Sequence, residues 1–230
     1  MTASKPMPCG LYGKLPAKRD FVAAAVPRAF LTAFEPWLQG GLSASRAALG
    51  AGWQEAYLRA PIWRFWLGAE LCGEPVLGAF MPSVDGVGRY FPLTLIARGP
   101  ELPPPEHEAF EGWFASAEAF LLGALTREDP FEALLAEVAA MPDPAAQPPA
   151  AEGVGRLGDG TLTASVEEGG VGAAFARLRR LDHARLHGGM TYWWTAGGEG
   201  FPPRAVACRR FPDPYAFAGM LTGGFDAVGG

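Results

Sequence analysis

Apolar residues recur along the chain with two periods, and these periods divide it into helices and strands. Pro27 to Leu38 has helical spacing opened by a proline, and Pro36 inside it predicts a break or kink. Apolar or small residues at Trp37, Leu38, Gly41, Leu42, Ser45 and Leu49 predict a further helical stretch. Trp53 to Arg59 continues as helix. "PIWRFWL", Pro61 to Leu67, is dense in aromatics and predicts a strand. Two more strand-like runs, "PVLGAFMP" and "RYFPLTLIA", lie between Pro75 and Ala97. They flank "SVDGVG", whose Asp85-Gly86 pair is a turn signal. Pro92 offers no ladder donor, so an edge or a bulge is expected there.

The strongest helical stripe lies in Glu106 to Thr126, with Phe110, Trp113, Phe114, Ala117, Phe120, Leu121, Ala124 and Leu125 on one face. A second helix follows. Asp129, Pro130 and Glu132 have the pattern of a capping box with proline in the first turn, and Phe131, Leu134, Leu135 and Val138 form the apolar face. "MPDPAAQPPA", Met141 to Ala150, reads as an extended, solvated linker. Beyond it, "TLTASV" (Thr161 to Val166) and "MTYWWTA" (Met190 to Ala196) read as strands. Val171 to Leu186 reads as a basic helix, and Asp213 to Leu221 as a terminal helix with Pro214 in its first turn. Helices and strands mixed in this way predict an α/β or α+β domain with helices packed on a sheet. Two strands are too few for a sheet of their own. Residues 151–230 are therefore expected to complete a single fold with the larger part, residues 1–140, across the linker at 141–150.

Charge and cysteine usage narrow the function classes. The 230 residues carry a net charge of −5, which argues against nucleic acid and anionic membranes as partners. The three cysteines, Cys9, Cys72 and Cys208, are far apart and odd in number, which fits reduced thiols in the cytoplasm. "MTASKPMPCG" lacks the apolar core of a secretory signal, and no run of about 18 apolar residues predicts a membrane span.

"GLYGKLPAKRDF", Gly10 to Phe21, fails as a phosphate-binding loop. Gly10 and Gly13 stand too close, and Leu15 replaces the hydroxyl residue that would hold Mg²⁺. "DGVGR", Asp85 to Arg89, is too short for a dinucleotide fingerprint and reads as a turn. His183 and His187 share one face of the basic helix, but a zinc site needs a third ligand, so they read as surface residues near a helix C-terminus. Arg177, Arg179, Arg180 and Arg185 read as a solvated face, with an anionic partner as the sharper alternative. No G-x-S-x-G elbow occurs, and the cysteines have no local catalytic signature. Glu167 and Glu168 read as solvated. Trp193 and Trp194 point to opposite faces of a strand, one toward the core and the other a candidate interface anchor. The residues predict no catalytic set, cofactor or metal, and a binding module ranks above an enzyme.

Four elements acquire meaning together: "GLYGKLPAKRDF", "APIWRF" (Ala60 to Phe65), "MPSVDGVGRYFPL" (Met81 to Leu93) and "YWWT" (Tyr192 to Thr195). In this order they resemble the TagF family, proteins associated with bacterial type VI secretion. Gly13, Lys14, Leu15, Pro16, Asp20 and Phe21 match that family's G-K-L-P-x-x-G-D-F element, with Arg19 where it usually has glycine. The similarity is densest over residues 10–97 and reaches "RRFPDPYAFAGML" near the C-terminus. It implies a three-layer α-β-α sandwich with a mixed, largely antiparallel sheet. It also implies a non-enzymatic repressor that acts after translation by binding the forkhead-associated scaffold protein Fha, in the stand-alone form without a phosphatase domain. Lys14, Asp20, Ser83, Asp85 and Arg89, the polar members of the two most specific elements, are expected to gather on one side of the fold. There they serve the partner site or support it through ion pairs. The alternative is an enzyme or anion-binding domain that uses the same residues. A glycine-like backbone at Arg19 would be strained.

Overall fold

The computed structural model describes residues 9–100, 102–127, 129–144, 153–166 and 169–225. The first half of the chain forms β1 (Cys9–Gly13), β2 (Val22–Ala24), α1 (Arg28–Leu49), α2 (Trp53–Arg59), β3 (Trp63–Leu67), α3 (Ala69–Cys72), β4 (Val76–Met81) and β5 (Leu93–Arg98). The second half forms α4 (Glu111–Ala124), α5 (Phe131–Ala139), β6 (Val154–Arg156), β7 (Leu162–Ala164), α6 (Gly170–Leu181), α7 (His183–His187), β8 (Met190–Thr195), β9 (Arg204–Arg209) and α8 (Ala216–Thr222). Seven strands hydrogen-bond in the order β2-β1-β5-β4-β3-β8-β9, and β6 and β7 form a separate two-stranded ribbon. Each of these pairings is antiparallel.

Alternation along the strands builds a core on each face of the sheet. Trp63, Phe65 and Leu67 of β3, Val76 and Phe80 of β4, and Trp193 of β8 pack under α1, α2 and α8. Trp66, Leu77, Ala79, Met81, Leu93 and Leu95 face the other way, against α4 and α5. The result is an α-β-α sandwich. Burial on both faces explains why the central strands read as near-continuous apolar runs. Phe65 lies opposite Gly78 in the ladder, and a Cβ on Gly78 would come within 2.3 Å of the Phe65 ring. Glycine there makes room for the aromatic.

Residues C-terminal to the expected linker enter the same sheet. β8 pairs with β3, and α8 packs on α1. At the start of that segment Met141 packs against the α4–α5 core and Pro144 is buried, while Pro142 and Asp143 between them are exposed. Residues 145–150 of the segment lie outside the described residues.

Several local expectations give way to tertiary packing. Pro36 does not break α1, which runs through it from Arg28 to Leu49. Proline in a helix interior costs about 3 kcal/mol. Phe30, Phe34, Trp37 and Leu38 bury on one side of the same helix, at about 1.5–3 kcal/mol each, and outweigh it. α4 starts at Glu111 and not at Glu106, because Phe110 adopts a left-handed φ of 54° to place its ring in the core. The capping box before α5 does not form: Pro130 precedes the helix without a side-chain cap, and Asp129 faces Arg127 at 3.9 Å. The basic helix is two helices, parted at Asp182. Pro214 lies ahead of α8. Pro92 stands just before β5, a central strand flanked by β1 and β4, so no edge or bulge is needed. Asp85-Gly86 does make the expected turn: the Gly88 N–H donates to the Asp85 carbonyl at 3.0 Å, at the tip of the loop that joins the antiparallel pair β4 and β5. Among the described residues no helix is long and apolar enough to cross a membrane.

Candidate functional site

The two specific sequence elements meet beside the β1 end of the sheet. β1 closes at Gly13 with φ 127°, and a Cβ there would lie 2.0 Å from the Pro92 carbonyl oxygen. Only glycine fits this close approach, and the next residue, Lys14, points inward, where it is 3% exposed. The Lys14 ammonium donates to the Asp85 carboxylate, whose side chain is fully buried, and lies 4.8 Å from the centre of the Phe21 ring. Asp85 also accepts from Arg89 Nε at 2.7 Å, the Arg89 backbone N–H at 2.9 Å and the Val87 backbone N–H at 3.1 Å.

Ser83 joins the same assembly from the end of β4. Its hydroxyl donates to the Lys14 carbonyl at 2.7 Å. The Tyr57 hydroxyl of α2 donates to the Ser83 carbonyl at 3.0 Å and accepts from its N–H at 3.1 Å. The Arg89 guanidinium donates to the Arg19 carbonyl, and the Gly86 N–H reaches the Lys18 carbonyl at 3.4 Å. Burial opposes ionisation of Asp85. The Lys14 ammonium, the two backbone N–H groups and the Arg89 guanidinium outweigh it and hold the carboxyl well below the usual carboxylate range.

Lys14, Ser83, Asp85 and Arg89 thus form one network that ties the N-terminal segment to the β4–β5 loop. Asp20 is exposed and takes no part in the network's bonds. Arg19 does not adopt a left-handed backbone, so arginine fits there without strain. The chemistry open to this network is narrow. The buried cation faces the buried anion, and the half-exposed Arg89 side chain is shared between Asp85 and the Arg19 carbonyl. Tyr57 is the member that sequence pattern missed. Its position on α2 signals only a buried face.

At the other end of the sheet the two tryptophans part as their alternation requires. Trp193 is fully buried, 4.5 Å from Trp37 and 5.3 Å from Phe65 between ring centres, and donates to Thr191 Oγ1 at 2.9 Å. It is a core residue and cannot anchor a partner. Trp194 is half-buried, edge-on to Phe114 at 5.1 Å. It lines a groove of about 480 Å³ with Pro105, Ala109, Ala205 and Ala207. Arg64, next to it in the ladder, is held by Glu118 at 2.6 Å and Glu111 at 2.7 Å.

The histidines are not surface residues. His187 is buried, and its Nδ1 lies 2.6 Å from the Tyr192 hydroxyl, which donates to Glu106 at 3.0 Å. His107 lies 5.8 Å from His187 and 6.4 Å from His183 between ring centres. Burial pushes the pKa values of His107 and His187 down, and the neighbouring cationic groups add to this. Among the described residues, no group of three or more His, Cys, Asp or Glu is placed to hold a metal ion. The arginines of α6 and α7 are not a uniform solvated face: Arg180 donates to the His107 carbonyl at 2.7 Å, and Arg185 pairs with Asp182 at 2.6 Å. Burial raises the Cys9 thiol to about 11 and the Cys72 thiol to about 12, which makes both poor nucleophiles. Glu167 and Glu168 lie outside the described residues.

The fold and the network define a class: an α-β-α sandwich whose signature polar residues bond to one another. Residues 10–141 match the family model of the TagF N-terminal domain, type VI secretion system-associated. The chain belongs to this family. It is similar throughout to the solved structure of PA0076 from Pseudomonas aeruginosa PAO1, at 32% identity and a TM-score of 0.78, over 96% of this chain and 97% of that one. No curated protein matches.

Proposed function

We propose that this protein is a cytoplasmic, non-enzymatic regulator that represses type VI secretion after translation by binding the forkhead-associated scaffold protein Fha. Family membership supports the secretion role. The observation that carries the non-enzymatic part is the fate of the signature residues. Lys14 and Asp85 neutralise each other inside the protein, and Ser83 is bonded to the Lys14 carbonyl. A phosphate or carboxylate ligand would have to displace Asp85 from Lys14 and leave a buried carboxylate short of its main cation, which is strongly unfavourable. The network therefore works as a scaffold that fixes the segment around Lys14 against the loop around Asp85, and it presents the surface above them. The test is co-elution of the purified protein with Fha from the same secretion cluster. Stoichiometric co-elution is the expected result. A folded protein that fails to retain Fha would overturn the proposal.

A further inference from the structure

The seven-stranded sheet has two edges, and they are finished differently. β2 is short, three residues long, and the chain leaves it through Ala25 at a φ of 54°. β9 has six residues, "RAVACR", four of them exposed, and among the described residues its only ladder partner is β8. An edge of this length presents a row of unpaired N–H and C=O groups, and soluble proteins usually blunt such edges.

The side chains of β9 say what the edge accepts. Arg204 and Arg209 stand at its two ends, and neither they nor Arg210 makes an ion pair among the described residues. Between them stand Ala205, Val206, Ala207 and Cys208. Arg204 and Arg209 lie on opposite faces of the sheet, so a twofold antiparallel pairing of β9 with a second copy must centre on a residue: on Val206 it sets Arg204 opposite Cys208, and on Ala207 it sets Arg204 opposite Arg210. In neither register does an arginine meet a carboxylate, so the edge offers itself no complementary charge. A strand with carboxylates five positions apart would instead meet both arginines. Ala205 and Ala207 pair with Trp194 and Tyr192 of β8 and line the groove beside Trp194, so their small size leaves room there for larger apolar side chains. The carboxylates that face this groove are already engaged: Glu111 by Arg64, and Glu106 by the Tyr192 hydroxyl.

We propose that β9 is a strand-accepting edge that docks an extended partner segment with an acidic residue at each end and apolar side chains between. This rests on the partner-binding reading above and gives it a surface. Backbone bonds would supply affinity, while the arginines and the groove would set register and choice of partner.

The test is amide hydrogen exchange on the whole protein. It is measured alone at rising concentration, with a peptide carrying Glu-Val-Thr-Val-Thr-Glu, with the same peptide carrying lysine in place of glutamate, and with Fha. The expected result is slowed exchange across Arg204 to Arg209 with the glutamate peptide. Binding should weaken about tenfold in Arg204→Glu/Arg209→Glu, and this double variant should prefer the lysine peptide. Equal protection by both peptides, or none by the glutamate peptide, would overturn the proposal. So would protection that grows with the protein's own concentration, which would make a second copy the occupant. Fha retained without any change at β9 would overturn this surface while leaving the Fha reading standing. The glutamate peptide on β9 with no Fha binding would do the reverse.

Discussion

At the β1 end of the sheet, Lys14 lies inside the protein against Asp85. At the β9 end, Arg204 and Arg209 stand in solvent with no ion-pair partner among the described residues. The first cation belongs to the elements that mark the family, and the second pair lies beyond the matched span of residues 10–141. A buried ion pair is costly to leave half made, so residues of such a pair are tied to folding. Exposed, unpaired arginines contribute little to folding and are free to meet another molecule. The contrast separates a motif that builds the domain from an edge that can use it.

The largest effect is expected from removing the β9 end outright. A chain that stops at Met141 loses β8, β9 and α8, and with them Trp193, Phe217, Met220 and Leu221 of the core under α1. It should show no cooperative thermal unfolding by circular dichroism. An unchanged melting temperature would mean that the first part folds alone and that the sheet is not one unit.

Next come the two adjacent tryptophans. Trp193→Ala removes a ring packed between Trp37 and Phe65 and should cost about 3–5 kcal/mol, a fall of roughly 10 °C in melting temperature. Trp194→Ala, at the half-open groove, should cost much less and should weaken partner binding instead. Equal losses of stability would erase the distinction between core and groove.

Lys14→Met keeps the aliphatic bulk and deletes the charge, leaving the buried Asp85 with Arg89 and backbone N–H groups alone. The melting temperature should fall by roughly 10 °C, with Fha still retained by the folded fraction. Stability unchanged and Fha lost would reverse the assignment of scaffold and interface.

Asp85 allows the same network to be probed by pH. Its carboxyl titrates below its unfolded value of about 4, so the folded state binds fewer protons than the unfolded one in acid. The stabilisation is complete above about pH 4 and is lost as pH falls toward the depressed folded value. The gap in melting temperature between the wild type and Asp85→Asn should therefore be widest near neutral pH and shrink by pH 3. A gap that stays constant would show that the charge of Asp85 is not what stabilises the loop.

The sequence disclosed these regions unequally, for physical reasons. The central strands and the α4 stripe were plain because burial on a regular period leaves a repeating pattern. Lys14, Ser83, Asp85 and Arg89 were legible as a group through the family resemblance, yet whether they turned inward was not. Lys14 is held inward by Asp85, a partner far from it in sequence. Pro36 does not end α1, because local propensity does not register the buried face that carries the helix across it. β9 gives a weak signal: the apolar run in "RAVACR" is four residues long, mostly small, and closed by an arginine at each end, since an open edge has little to bury. His107 lies far in sequence from His183 and His187, and only the packing of α7 beside Pro104 to Glu108 brings the three together.

The smallest expected effect sharpens the comparison most. Arg204→Glu/Arg209→Glu reverses two charges, twice as many sites as Lys14→Met alters. Both side chains are solvated, and neither ends a buried carboxylate's search for a partner. Exposed substitutions of this kind usually change stability by no more than about 0.5 kcal/mol, so the melting temperature should move by no more than about 2 °C. Screening predicts that whatever small shift remains will shrink further as salt is raised from low ionic strength. A fall as large as that of Lys14→Met would show that the β9 arginines hold the fold together. They would then stand on the same footing as Lys14, and the two ends of the sheet would no longer divide into scaffold and surface.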